Sequence, residues 1–99
     1  MASSEDFNYS REMGISHSDL FRLFPNVTPE PNYSIVGNEI RIVNQDRQLV
    51  IQFGEEKERR IASLFIPVTD MLFHFSGYTK QQSDEFMQKF DRVFHRGGG

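Results

Sequence analysis

Ninety-nine residues suit one domain and leave little room for a second. The chain has no cysteine, which excludes a disulfide framework, a thiolate metal site and a cysteine nucleophile, and fits a reducing compartment. Its net charge of −3 gives no global field favouring nucleic acid or anionic lipid.

Residues 1–14, MASSEDFNYSREMG, are polar and read as a flexible segment that Phe7 and Tyr9 tether at most. They lack the basic flank and apolar core of a secretory signal. The first firm element begins at Ile15. Ser16 and Asp19 have helix-capping spacing, and Ile15 with Leu20 sits at the positions of a hydrophobic staple. Pro25 disfavours helix at Phe24, so this helix is short. Residues 25–32, PNVTPEPN, form an extended connector.

The middle of the chain reads as strands. Runs at 33–36 and 39–43 flank Gly37-Asn38, a two-residue hairpin signal. A further strand covers 48–53, with Leu49, Ile51 and Phe53 on one face. Residues 54–58, GEEKE, read as a solvated turn. Residues 59–66 carry apolar side chains on both faces and read as one strand, central or covered on both sides, that Pro67 ends. The alternation at 71–76 is a last strand.

Residues 79–96 carry the clearest signal. Thr79 and Gln82 form a capping box, and Phe86, Met87, Phe90, Val93 and Phe94 fall on one helical stripe. Gly97 is the expected stop, with 97–99 a flexible tail. The fold class is therefore α+β. It comprises a short N-terminal helix, a four- to five-stranded antiparallel meander sheet and a C-terminal amphipathic helix on one sheet face. A single domain spans 15–96.

The run RRIASLFIP at 59–67, the segment FSGYTKQQSDEFMQKFDRVFHRGGG at 75–99 and the helix at 15–25 resemble a family of small uncharacterised bacterial proteins that end in Arg-Gly-Gly-Gly. The resemblance implies a small intracellular, cytoplasmic bacterial protein. It supplies no activity, cofactor or catalytic residue.

Chemistry-bearing constellations are sparse. None of His17, His74 and His95 has a second ligand at metal-site spacing; Asp91 and His95 make only an i,i+4 pair. There is no nucleophile elbow, phosphate loop or zinc-protease motif. The expectation is a non-enzyme with no cofactor and no metal. Glu55 and Glu56 lack calcium-loop spacing. His74, mid-strand opposite Phe73 and Phe75, is either a base in a pocket or part of a solvent face. The terminal Gly-Gly-Gly looks like a carrier-protein tail, but a helix stop explains it more simply.

Two partner classes remain. One short and one long helix do not suffice to cover both sheet faces. Leu64, Ile66, Leu72 and His74 are therefore the candidates for an interaction surface, serving a protein partner or a homodimer. The alternative is a sheet that binds single-stranded nucleic acid, with Arg47, Lys57, Arg59 and Arg60 as its basic rim; net acidity stands against it. No apolar run reaches membrane-span length.

Overall fold

The computed structural model describes residues 6–28 and 33–98, with side chains as far as Phe94. It is an α+β fold built on one antiparallel sheet of six strands. The elements are β1 (Phe7–Met13), α1 (His17–Leu23) with a single 3-10 turn (Phe24–Asn26), β2 (Tyr33–Val36), β3 (Glu39–Asn44), β4 (Arg47–Phe53), β5 (Lys57–Ile61), β6 (Leu64–Ser76) and α2 (Lys80–Gly98). The spatial order is β1-β6-β4-β3-β2, and β5 also pairs with β6.

Four expectations change. Phe7–Met13 is an edge strand rather than a loose tail, paired with β6 from Phe7↔Phe75 to Met13↔Thr69. Its alternation places Phe7, Tyr9, Arg11 and Met13 on the helix side, where Phe7, Tyr9 and Met13 pack on the core. Residues 1–5 of the expected flexible segment lie outside the described residues. The expected strand at 59–66 is a hairpin instead, turning at Ala62-Ser63, and its β5 half is exposed on both faces. Pro67 does not end a strand but lies within β6. Counting from the two-residue turn, Glu58↔Pro67 is a non-hydrogen-bonded pair. The proline nitrogen therefore points to an edge that β1, which ends with Met13 opposite Thr69, does not cover, and no ladder bond is lost. Finally, α2 continues through Gly97 and Gly98, past the expected stop; Gly99 lies outside the described residues.

β4 and β5 act as one interrupted strand alongside β6. Phe53 pairs with Met71 and Lys57 with Val68, so residues 54–56 oppose only Thr69 and Asp70. That is one extra residue, a β-bulge. Beyond it the β5–β6 hairpin leaves the body of the sheet as a two-stranded arm, consistent with overall extents of 54 × 23 × 23 Å.

Both helices lie on the same face. Leu20 and Phe24 of the first helical region join Ile40, Leu49, Ile51, Phe53, Met71, Phe73, Phe75, Met87, Phe90 and Phe94 in one core. The N-cap of α1 is Ser16, whose Oγ accepts from the Asp19 amide at 3.2 Å. The α2 capping box forms as its spacing predicts: Gln82 N donates to Thr79 Oγ1 at 3.1 Å and Thr79 N donates to Gln82 Oε1 at 2.9 Å.

Gly77 joins β6 to α2 at φ +82°, and a Cβ there would lie 2.6 Å from the Asp46 carbonyl oxygen. Gly37, at φ +60°, has nothing within 4 Å of its Cβ position. Left-handed backbone costs a residue with a side chain about 1–2 kcal/mol in either place. Only Gly77→Ala must also displace backbone, a further cost of about 1–3 kcal/mol. Urea midpoints should therefore fall clearly more for Gly77→Ala than for Gly37→Ala. Equal losses would remove close approach as the reason for Gly77.

Candidate interaction surface

Strand alternation sorts the sheet into two faces. The helix side takes the odd residues from Thr69 to Phe75 of β6, Leu49, Ile51 and Phe53 of β4, and Ile40 and Ile42 of β3. The other side takes Leu64, Ile66, Val68, Asp70, Leu72 and His74 of β6 in one row. Registers extend that face sideways, His74 to Asn8 and Val50, and Leu72 to Ser10 and Gln52. Both helices pack on the odd-residue side, so among the described residues no helix covers this second face.

The structure thus brings Leu64, Ile66, Leu72 and His74 onto one face of one strand. Leu64 is 62% exposed and Leu72 56%, while Ile66 is half-buried, with its Cγ2 3.6 Å from the Cβ position of Gly14. Around Leu72 and His74 the face is concave, an open groove of about 520 Å³ whose lining includes Asn8, Glu39, Arg41, Val50 and Gln52. Its polar groups are mutually engaged. Glu39 Oε1 accepts from Arg41 Nη2 at 2.8 Å and Oε2 accepts from Gln52 at 3.3 Å. The Arg41 bond first, then that of Gln52, holds the Glu39 carboxyl below its ordinary range. His74 Nδ1 donates to Asn8 Oδ1 at 2.6 Å, and Nε2 lies 3.3 Å from the Asp6 carboxylate. Both ring nitrogens thus face polar neighbours, and among the described residues no hydroxyl is bonded to either.

Between groove and arm runs a charged band. Lys57 approaches Asp70 at 3.9 Å and Arg59 reaches Glu12 at 2.9 Å, both beside buried Val68. At the arm's tip Ile61 and Leu64 flank the turn, 50% and 62% exposed. Phe65 is exposed on the arm's other face, with the Arg60 guanidinium 4.9 Å above its ring.

The four basic residues named for a nucleic-acid rim are not gathered. Arg47 starts β4 at the opposite end from the arm and stacks on Tyr78, 4.7 Å from the ring centroid. Burial pushes the Tyr78 hydroxyl up, against the opposing pull of Arg47. Lys57 and Arg59 are ion-paired, and Arg60 covers Phe65.

His17 belongs to the helix side. Its backbone N–H donates to Glu56 Oε1 at 2.8 Å, and Nε2 bonds the Gly54 carbonyl at 2.8 Å, pinning α1 to the bulge. Asp91 is taken by Arg11, at 3.0 Å to each carboxylate oxygen; the side chain of His95 lies beyond the described ones. Among the described residues no group of three or more His, Asp or Glu is placed to hold a metal, and no helix is long and apolar enough to cross a membrane.

Sequence reasoning missed the groove's β1 wall, Asn8 and Tyr9, and the Asp6 carboxylate beside His74. The alternation F-N-Y-S-R-E-M was the available signal. No family model matches the chain, and neither a curated protein nor a solved structure matches it. The family resemblance thus gains no support there, and function rests on the surface itself.

Proposed function

We propose that this protein is a non-enzymatic interaction module that self-associates through the helix-free face of its sheet. One observation carries the reading. A sheet with both helices on one side leaves Leu72, Val36 and Val43 more than half exposed on the other. Large exposed apolar side chains gathered on one face mark association surfaces. Among the described residues the partners of His74 are Asn8 and Asp6, so its ring serves the groove wall in this reading.

The test is the mass in solution by light scattering on a sizing column, over a wide range of concentration. A dimer whose population grows with concentration is the expected result. A strict monomer at the highest concentration overturns self-association. The nucleic-acid reading draws less support, because its four cations are dispersed or already paired. Single-stranded oligonucleotides are expected to leave the protein's mobility unchanged at low salt.

A further inference from the structure

We propose that the cleft between α2 and the β3–β4 end of the sheet is a binding site for a small organic anion, one that joins a carboxylate, sulfonate or phosphate group to a flat apolar body. The cleft lies on the helix side of the molecule, so the inference is independent of self-association through the opposite face.

Local structure builds the cleft. Gln82, Glu85, Phe86 and Lys89 stand at i, i+3, i+4 and i+7 of α2 and form one stripe along the helix. Ile42 of β3, Arg47 of β4 and Tyr78 of the β6–α2 link complete the walls. The open space is about 470 Å³, within the range of about 300–1,000 Å³ typical of small-molecule clefts.

The floor is apolar and preformed. Val27, Ile42 and Tyr78 are buried. The rings of Tyr78 and Phe86 each meet Phe75 edge-on, at 5.0 and 5.6 Å, so both are locked to one core side chain. A fixed floor spares a ligand the cost of ordering it.

Two cations border that floor. The Arg47 guanidinium lies 4.7 Å from the Tyr78 ring centroid, held there by cation–π attraction. Its backbone is fixed as well, with Cα 3.2 Å from the position a Cβ on Gly77 would take. Lys89 is exposed on the α2 side. Among the described residues neither makes an ion pair, unlike Lys57 and Arg59 of the arm. Glu85, one turn before Lys89, instead accepts from Gln81 at 3.2 Å. Arg47 and Lys89 against Glu85 leave the cleft net positive in a chain of net charge −3. A guanidinium offers an oxyanion a planar fork of donors, and an ammonium adds a point charge beside it. The aromatic floor supplies contact that a bare inorganic anion would leave unused.

The test uses the full chain and two dyes with the same rings, anionic anilinonaphthalene sulfonate and uncharged phenylnaphthylamine. Binding is titrated by fluorescence and mapped by amide chemical shifts. The sulfonate dye is expected to saturate a single site, to shift Ile42, Gln82 and Lys89, and to bind about tenfold more tightly than the uncharged dye. Lys89→Met and Arg47→Met, each checked for native melting, are each expected to lose about tenfold in affinity for the sulfonate dye and little for the uncharged one. Lys89 is exposed, so its variant keeps the test open even where Arg47→Met unfolds. Leu72→Asp, on the helix-free face, is expected to bind the dye as the unaltered chain does, whatever it does to self-association. Shifts confined to the Leu72 face, equal affinity for the two dyes, unchanged affinity in Lys89→Met, or no saturation at about 1 mM dye would each overturn the site.

Discussion

Removing residues 1–13 is expected to lower the melting temperature by about 15–30 °C. The segment carries β1, which pairs with β6 along seven positions. Its inward side chains include two aromatics and a methionine packed on the core. Tyr9 sets its ring edge-on to Phe75 at 5.5 Å, and its hydroxyl donates to Asp84 Oδ1 at 2.6 Å beside Ser83. The Asp84 carboxyl is held below its ordinary range by the Lys80 bond first and the Tyr9 bond second. Arg11 grips Asp91 with two bonds, and that pairing raises its own already high pKa. The ion pair is partly exposed and is worth at most about 1 kcal/mol. Burial decides the matter. Three large side chains, each about half-buried, contribute about 1 kcal/mol apiece, and the strand also seals one edge of Met71, Phe73 and Phe75. A loss of about 4 kcal/mol is a large share of the about 5–15 kcal/mol that a domain has. At about 4–8 °C per kcal/mol it gives the stated shift. Thermal unfolding followed by circular dichroism measures it. A truncated chain that melts within a few degrees of the full one would show β1 to be dispensable.

That experiment also marks where the sequence stops being legible. The last helix is readable because its signals are local. Thr79 and Gln82 cap each other three residues apart, and the stripe of Met87, Phe90 and Phe94 needs only a helical period. Gly37-Asn38 is readable for the same reason. β1 is obscured because its third inward position is Arg11, a charge made tolerable by Asp91, eighty residues away. The β5–β6 hairpin is obscured because its turn, Ala62-Ser63, has none of the Gly, Asn or Asp that two-residue hairpins favour and still takes φ +56° at Ala62. Gln45 does the same at φ +60° between β3 and β4. The candidate surface was half legible. An apolar surplus at Leu64 and Leu72 is visible in the sequence. Their placement on one row of one strand depends on Pro67 lying inside β6, which local rules argue against.

The same continuity ties fold to proposed function. Were Pro67 a strand end, Leu64 and Leu72 would belong to different elements, with no fixed relation between them. Because β6 runs unbroken through thirteen residues, arm and groove keep one spacing. The β5 half of the arm and its tip are exposed, so side chains there can be altered at little cost to the body.

Phe90→Ala is expected to destabilise the fold by about 3–5 kcal/mol, the ordinary cost of emptying a phenylalanine site in a core. Phe90 has no exposed surface. Its ring meets Phe73 of β6 edge-on at 4.9 Å and Phe94 at 4.5 Å. It therefore joins α2 to the strand that holds the rest of the sheet. Neighbouring side chains are poorly placed to collapse into the space. Met87 and Phe94 are fixed one turn away on the same helix, and Phe73 is fixed by β1 on one side and β4 on the other. The cost should thus fall toward the upper part of the range. Phe65→Ala is the matched comparison. It removes the same atoms from a ring that is 55% exposed on the arm, and it is expected to change stability by no more than about 1 kcal/mol. Urea unfolding of both variants, read as midpoint and slope, separates burial from residue type. Similar midpoints for the two would mean that α2 is not held to the sheet through Phe90.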